Sequence, residues 1–415
     1  MANRRFVHFA STVLTLTIVV TLLGLRAHAA GREKVIYSFA GDEDGEYPDT
    51  DLIMDHAGNI YGTTVLGGDF GTGTVFQLTP SANGWTHTVL YSFSGAADGG
   101  QPYKGVALDA QGNLYGTAVV GGTGGSCPED GCGVVYKLTN TSGSWTESVI
   151  HNFTGGADGY GPGNGLAFDS RGNLYGMTPT GGAQGFGVVY QLKPDGSGNW
   201  ALRVIHTFTG GADGAAASAG RLLAHGGNLY GVATAGGNHG AGTAFVLKPT
   251  PSGEWKIRIL YAFKGQPDAG FPYGALSFDT LGNLYGTTYY DGAEDLGAIY
   301  RLVPSSTGPW TETVLHSFVG GRDGSSSISN LVFDTAGNLY GTTSEGGAGC
   351  NCGTIFRLTP DGSGNWTESV AYRFQATPDG AFAYNGMMSD AAGNLYGATV
   401  QGGTHNEGAI YQFTP

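Results

Sequence analysis

Gly58-Asn-Ile-Tyr-Gly62 is the stretch that decides the architecture, because the chain writes it seven times. The later copies read Gly-Asn-Leu-Tyr-Gly and open at Gly112, Gly172, Gly227, Gly282, Gly337 and Gly393. Successive copies stand 54, 60, 55, 55, 55 and 56 residues apart. A period near 55 that runs on through the chain is the mark of one supersecondary unit packed against copies of itself.

Around each copy lie four strand-like runs, seen best in the third. Leu166-Ala-Phe168 ends in Asp169 and a Gly-Asn turn, and Asn173-Leu-Tyr-Gly-Met-Thr178 follows at hairpin distance. A Gly-rich loop leads to Gly187-Val-Val-Tyr-Gln-Leu192, and a Pro/Asp/Gly/Asn turn leads to Trp200 through Phe208. We name these runs A, B, C and D. Run D alternates: in the first unit Trp85, Val89, Tyr91 and Phe93 share a face, the period of a half-buried strand. The 76 glycines recur at fixed offsets beside aromatics, so they read as turn chemistry and not as low complexity.

D runs occur at residues 35–39, 89–93, 149–153, 204–208, 259–263, 314–318 and 370–374. The array therefore begins in a D run and ends in a C run, Gly408-Ala-Ile-Tyr-Gln-Phe413, with no D run after it. If residues 35–39 complete the last unit, the array closes into a ring, which removes the exposed edges that a linear array would leave. The tryptophans agree: Trp85, Trp145, Trp200, Trp255, Trp310 and Trp366 each open a D run, and the D run without one is the N-terminal piece. The expected fold is all-β, a seven-bladed β-propeller with four antiparallel strands per blade, closed by the N-terminal strand and forming one domain over residues 31–415.

Residues 1–30 read differently. Arg4-Arg5 precede a mostly apolar run from Val13 to Leu25, and Ala27-His28-Ala29 is a small-x-small cleavage pattern, which together predict an export signal. No later stretch is apolar enough to predict a span. In an oxidising compartment Cys127 with Cys132, and Cys350 with Cys352, read as local disulfides that staple B-to-C loops. Setting aside Arg4, Arg5 and Arg26, 16 basic side chains face 33 acidic ones, a net charge of about −17 that argues against nucleic acid and anionic lipid as partners.

The D-to-A and B-to-C connections of such a blade leave at one end, and that end carries the variable residues expected to meet a ligand. Candidate contacts in its B-to-C loops are Asp69, Phe70, His239, Tyr289, Tyr290, Asp291 and His405. Every D-to-A loop holds an aspartate, at Asp44, Asp98, Asp158, Asp213, Asp268, Asp323 and Asp379, each followed by Gly except Asp268, where Ala269 intervenes. Repetition in all seven units favours an Asx turn over a cation-binding ring of carboxylates. Eleven residues on, Asp55, Asp109, Asp169, Asp279, Asp334 and Asp390 begin D-x-x-G-N turns. The fourth unit has Ala224 there, and Arg221 falls where the others have Leu, Val or Met, a break in symmetry that makes Arg221 a candidate channel contact. Asp42, Asp44 and Asp49 supply half of a calcium-loop pattern, so Ca²⁺ is the cofactor to test and no other is expected. His151, His206 and His316 stand where other D runs have Tyr and read as packing variants.

The unit D-x-x-G-N-L-Y-G-T-T-x-x-G-G, followed by G-T-V-F-x-L-x-P and W-T-E-T-V-L-Y-S-F, resembles the Gloeobacter/Verrucomicrobia-type tandem repeats known as GloVer repeats. Asp279–Tyr290 with Gly297–Leu302 and Trp310–Phe318 carries the likeness, which extends over residues 35 to 413. The resemblance implies an exported bacterial protein and implies no particular activity. We therefore expect a secreted or periplasmic, monomeric, non-enzymatic scaffold that binds a glycan or a protein at the cell envelope. The alternatives are a carbohydrate-active lyase or hydrolase using upper-face carboxylates, and a purely structural envelope protein.

Overall fold

The computed structural model describes residues 31–415 apart from 126, 128, 129, 216–219, 307 and 348, so the expected export signal lies outside the described residues. Seven four-stranded antiparallel sheets follow one another around a ring. In blade one, strand A is Ile53–Met54, B is Ile60–Thr64, C is Thr74–Ser81 and D is Gly84–Ser92. Blade seven takes A, B and C from Met388–Ser389, Leu395–Thr399 and Ala409–Thr414, and its outer strand is Arg32–Ser38. That strand pairs antiparallel from Arg32↔Thr414 to Ser38↔Ala409, so the first strand closes the ring as the offset termini predict.

Each part of the repeated motif has a local duty. The Asp55 carboxylate accepts the backbone N–H of Ala57 and Asn59 through one oxygen, and the Asn59 amide and the Tyr61 hydroxyl through the other, at 2.8–3.0 Å. One side chain thereby folds the A-to-B turn and anchors strand B. The closing glycine of the motif makes room: a Cβ on Gly116 would lie 2.2 Å from the Tyr136 hydroxyl, and one on Gly286 would lie 2.4 Å from that of Tyr300.

That aromatic on strand C meets the phenylalanine ending strand D of the preceding blade. The pairs are Phe39–Phe76, Phe93–Tyr136, Phe153–Tyr190, Phe208–Phe245, Phe263–Tyr300, Phe318–Phe356 and Phe374–Tyr411, with centroids 4.8–5.5 Å apart. All seven phenylalanines are fully buried. The apolar interior accordingly divides into seven clusters, each shared by two neighbouring blades. Toward the opposite end, the tryptophan that begins or adjoins strand D meets the motif tyrosine of the preceding blade, as Trp85 does Tyr396 and Trp255 does Tyr175.

Phe39→Ala at the closure and Phe263→Ala across the ring are each expected to cost about 3–5 kcal/mol. Both variants should still unfold in a single urea transition, because the interfaces form one closed circuit. Two separated transitions for Phe39→Ala would show that closure is not part of the cooperative unit.

Candidate functional site

The repeated aspartates of the D-to-A loops are engaged in structure. Asp98 accepts the Tyr91 hydroxyl at 3.0 Å and the Ser94 N–H at 2.8 Å, closing its own loop. His151, His206 and His316 meet Asp158, Asp213 and Asp323 at 3.1–3.2 Å in the same role as tyrosine, which is why the two residue types exchange at this place. Asp42, Asp44 and Asp49 do not converge: Asp44 is held by Tyr37 and the Ala40 N–H, and Asp49 by Lys104. Among the described residues, the His/Asp/Glu group that does converge is His316, Asp323 and Glu368. It belongs to a series of blade-interface carboxyls.

Four interfaces place a strand-D glutamate near a loop aspartate: Glu33 with Asp379, Glu147 with Asp98, Glu312 with Asp268 and Glu368 with Asp323. Burial pushes each glutamate up to about 7, and the neighbouring aspartate adds to the effect. The folded protein then keeps these protons up to about pH 7, whereas the unfolded chain releases them near 4.5. Their contribution is complete below the unfolded value and is lost as pH rises through the folded one.

The upper face, where the D-to-A and B-to-C loops emerge, is not seven-fold symmetric. Blade five differs first. Its strand B runs on as Leu284–Asp291 and pairs with an added strand, Ala269–Pro272, which begins at the alanine that stands where the other loops have glycine. The pairing gathers Phe271, Tyr273, Tyr289 and Tyr290: Tyr289 lies 5.6 Å from Tyr273 and 4.6 Å from Tyr290, and Tyr290 lies 6.0 Å from Phe271. Tyr290 is 49% exposed. Tyr384 of blade seven continues the patch, its phenol pushed up by burial and by the nearby Tyr289, Glu345 and Asp49.

A polar clasp adjoins these rings. Lys104 Nζ donates to Asp49 Oδ1 at 2.9 Å and to Asn385 Oδ1 at 2.7 Å, and the Asn385 amide donates to the same Asp49 oxygen at 2.7 Å. Blades one, two and seven are tied together here. Burial works against the Lys104 charge, but Asp49 and Asp51 outweigh it and hold the ammonium above its ordinary range. Tyr103 stands beside the clasp, its phenol raised by burial and Asp49.

Blade four differs in register. Its A-to-B turn is one residue shorter, with Ala224↔Leu229 and His225↔Asn228 paired where blade three has Phe168↔Leu174. Leu222, not Arg221, therefore takes the Leu/Val/Met place, His225 takes the turn aspartate's place, and Leu222 is buried in the core cluster. Arg221 moves one step up the channel, to the level of Asp51, Gly105, Gly165, Ala275, Asn330 and Gly386.

Of the residues singled out from sequence, the structure brings Tyr289 and Tyr290 together and places Arg221 in the channel wall. Asp291 is buried, 8% exposed, with its carboxylate over Gly270. Asp69, Phe70, His239 and His405 are exposed in the loops of blades one, four and seven. Two of these loops reach outward: Thr404 donates to Ser38 on the outer strand at 3.3 Å, and Gly68 packs against Ser92. Sequence reasoning missed Tyr103, Tyr273 and Tyr384, although each follows its loop aspartate by five residues. Cys127–Cys132 and Cys350–Cys352 are bonded, with Cα atoms 5.4 and 5.3 Å apart.

The profile of the Gloeobacter/Verrucomicrobia repeat matches residues 25–128, 122–320 and 248–415. The chain belongs to this repeat family. No protein of curated function matches it in sequence. An ancestral GH74 enzyme is similar in structure, with TM-score 0.54 and 11% identity over 89% of this chain and 48% of that one. PorZ, a surface component of the type-IX secretion system of Porphyromonas gingivalis, gives 0.52 and 16% over 91% and 48%. A hypothetical selenium-binding protein from Sulfolobus tokodaii gives 0.50 and 10% over 75% and 74%. The chain spans about half the length of the first two. At these identities the likeness is one of fold, and such folds carry unrelated functions.

Two outcomes are expected. The unfolding midpoint should fall between pH 5 and pH 8, and Glu147→Gln with Glu312→Gln should flatten that fall in thermal melts; an unchanged slope would mean these carboxyls titrate normally. Lys104→Met should cost about 3–5 kcal/mol by stranding Asp49, and adding Asp49→Asn should recover most of the loss in urea denaturation.

Proposed function

We propose that this chain is an extracytoplasmic, non-enzymatic recognition propeller that binds a glycan at the cell envelope through its upper face. The observation that carries the reading is the aromatic patch of Phe271, Tyr273, Tyr289 and Tyr290, raised by an added strand that among the described residues is longest in blade five. Apolar ring faces with phenolic edges suit the C–H faces and hydroxyls of sugars, and the Lys104–Asp49–Asn385 clasp beside them offers fixed polar groups. The two disulfides suit an oxidising compartment, and the family resemblance to exported repeats points the same way.

One observation favours a second reading, a carbohydrate-active hydrolase or lyase. Burial pushes the Asp51 carboxyl up, against the pull of Arg221 and Lys104, and a perturbed carboxyl in a channel is the kind of group that general acid catalysis uses.

A glycan-array screen followed by titration calorimetry separates the two. Saturable binding with intact glycan recovered, weakened at least about tenfold by Tyr289→Ala with Tyr290→Ala, is the expected result, equivalent to about 1.4 kcal/mol. Cleavage products would replace the scaffold reading with the enzyme reading. Binding that ignores the tyrosine pair would move the site elsewhere.

A further inference from the structure

The shortened turn of blade four has a chemical consequence in the central channel. At the level that Arg221 enters, most blades have no side chain to spare. A Cβ on Gly105 would lie 2.1 Å from the Asp51 carbonyl oxygen, one on Gly386 would lie 2.1 Å from Asn330 Oδ1, and one on Gly165 would lie 3.1 Å from the Arg221 Cβ. The functional groups at this level are therefore those of Asp51, Arg221 and Asn330. All three line a cavity of about 460 Å³ that runs down the A strands of blades four to seven and one. Its volume falls within the range of small-ligand pockets, about 300–1,000 Å³.

The two cations near the top of the channel differ in state. Lys104 already donates to Asp49 and Asn385, which hold its charge in place. Arg221 is exposed, and it makes no hydrogen bond or ion pair with any described residue, although Asp51 lies within its electrostatic reach. A guanidinium in a channel wall with no such partner among the described residues presents a planar fork of donors matched to a carboxylate. Further down, the cavity wall alternates hydroxyls and apolar surface: Ser389, and Ser277, whose hydroxyl donates to the Leu331 carbonyl at 2.6 Å and keeps its lone pairs as acceptors, stand beside Phe278, Phe333 and Met388. Those are the partners that the hydroxyls and the C–H face of a sugar ring take.

We propose that the central channel is a binding site for a hexuronate, a sugar ring bearing one carboxylate, which Arg221 holds by its carboxylate while Asn330 and the channel serines take ring hydroxyls. The site is separate from the aromatic upper face and does not depend on it. Since the net negative chain repels anions at long range, selection rests on short-range pairing inside the channel. Two sources share this chemistry, the free monosaccharide acid and the terminal uronate of an oligosaccharide.

Titration calorimetry on the protein with D-glucuronate, D-galacturonate, their tetrameric oligosaccharides and D-glucose tests the proposal. At least one uronate should bind saturably while glucose, which has the ring without the carboxylate, binds at least about tenfold more weakly. Tighter binding of the oligosaccharide than of the monosaccharide would name the chain end as the source, and the reverse would name the free acid. Arg221→Gln should abolish the uronate preference and Arg221→Lys should restore part of it, whereas Tyr289→Ala with Tyr290→Ala should leave it unchanged. If Arg221→Gln does not fold, as judged by its melt, Asn330→Ala should weaken the uronate and leave the melt near that of the parent. No binding of either uronate form, equal binding of glucose, or full uronate binding by Arg221→Gln would each overturn it.

Discussion

Seven buried aromatic contacts, each between the phenylalanine that ends one blade and the ring on strand C of the next, are what the rest of this molecule depends on. A single four-stranded blade has two apolar faces and nothing of its own to cover them. Stacking covers both, and it does so for all seven only if the first blade also meets the last. The pairing of Arg32–Ser38 with Ala409–Thr414 brings Phe39 against Phe76 and completes the circuit. Glycine in strand B follows from the same contact, because the rings of strand C lie where its side chain would be.

Closure in turn decides where chemistry can gather. It brings seven D-to-A segments to one mouth, and cross-blade bonds such as Thr117 to the Asn164 carbonyl and Thr342 to the Asn385 carbonyl fix them there. Most of the acid that recurs from unit to unit is spent on this scaffold, in turns and at blade interfaces. The departures from symmetry remain available to a ligand: the added strand of blade five, the clasp across blades seven, one and two, and the arginine that a shortened turn carries into the channel.

The fold was legible in the sequence because it is written as a period, and periodicity survives any drift at single positions. Local duties were legible for the same reason: the aspartates of the D-x-x-G-N turns, and the histidines that stand in for tyrosine. Blade four was misread because a constant spacing of eleven residues from the loop aspartate was assumed, whereas a turn can lose a residue without moving the strands it joins. The Tyr289-Tyr290 pair was visible as an oddity in one loop. Its neighbours Phe271 and Tyr273 were not, since only the pairing of Ala269–Pro272 with strand B sets them beside it. Tyr384 joins from another blade, some 95 residues further along.

By itself, the sequence determined the blade count, the closure by the first strand and which repeated acids are structural. These depend on contacts within a unit or between equivalent positions of adjacent units, so a repeat encodes them many times over. Tertiary structure decided which singular residues meet. Lys104, Asp49 and Asn385 are separated by 55 and 281 positions along the chain and touch because the ring is closed. Arg221 faces the channel because strand register, and not spacing, determines which side chain points inward. Nothing local specifies the clasp, since the energy that holds its three residues in place is stored in the aromatic interfaces around the whole ring.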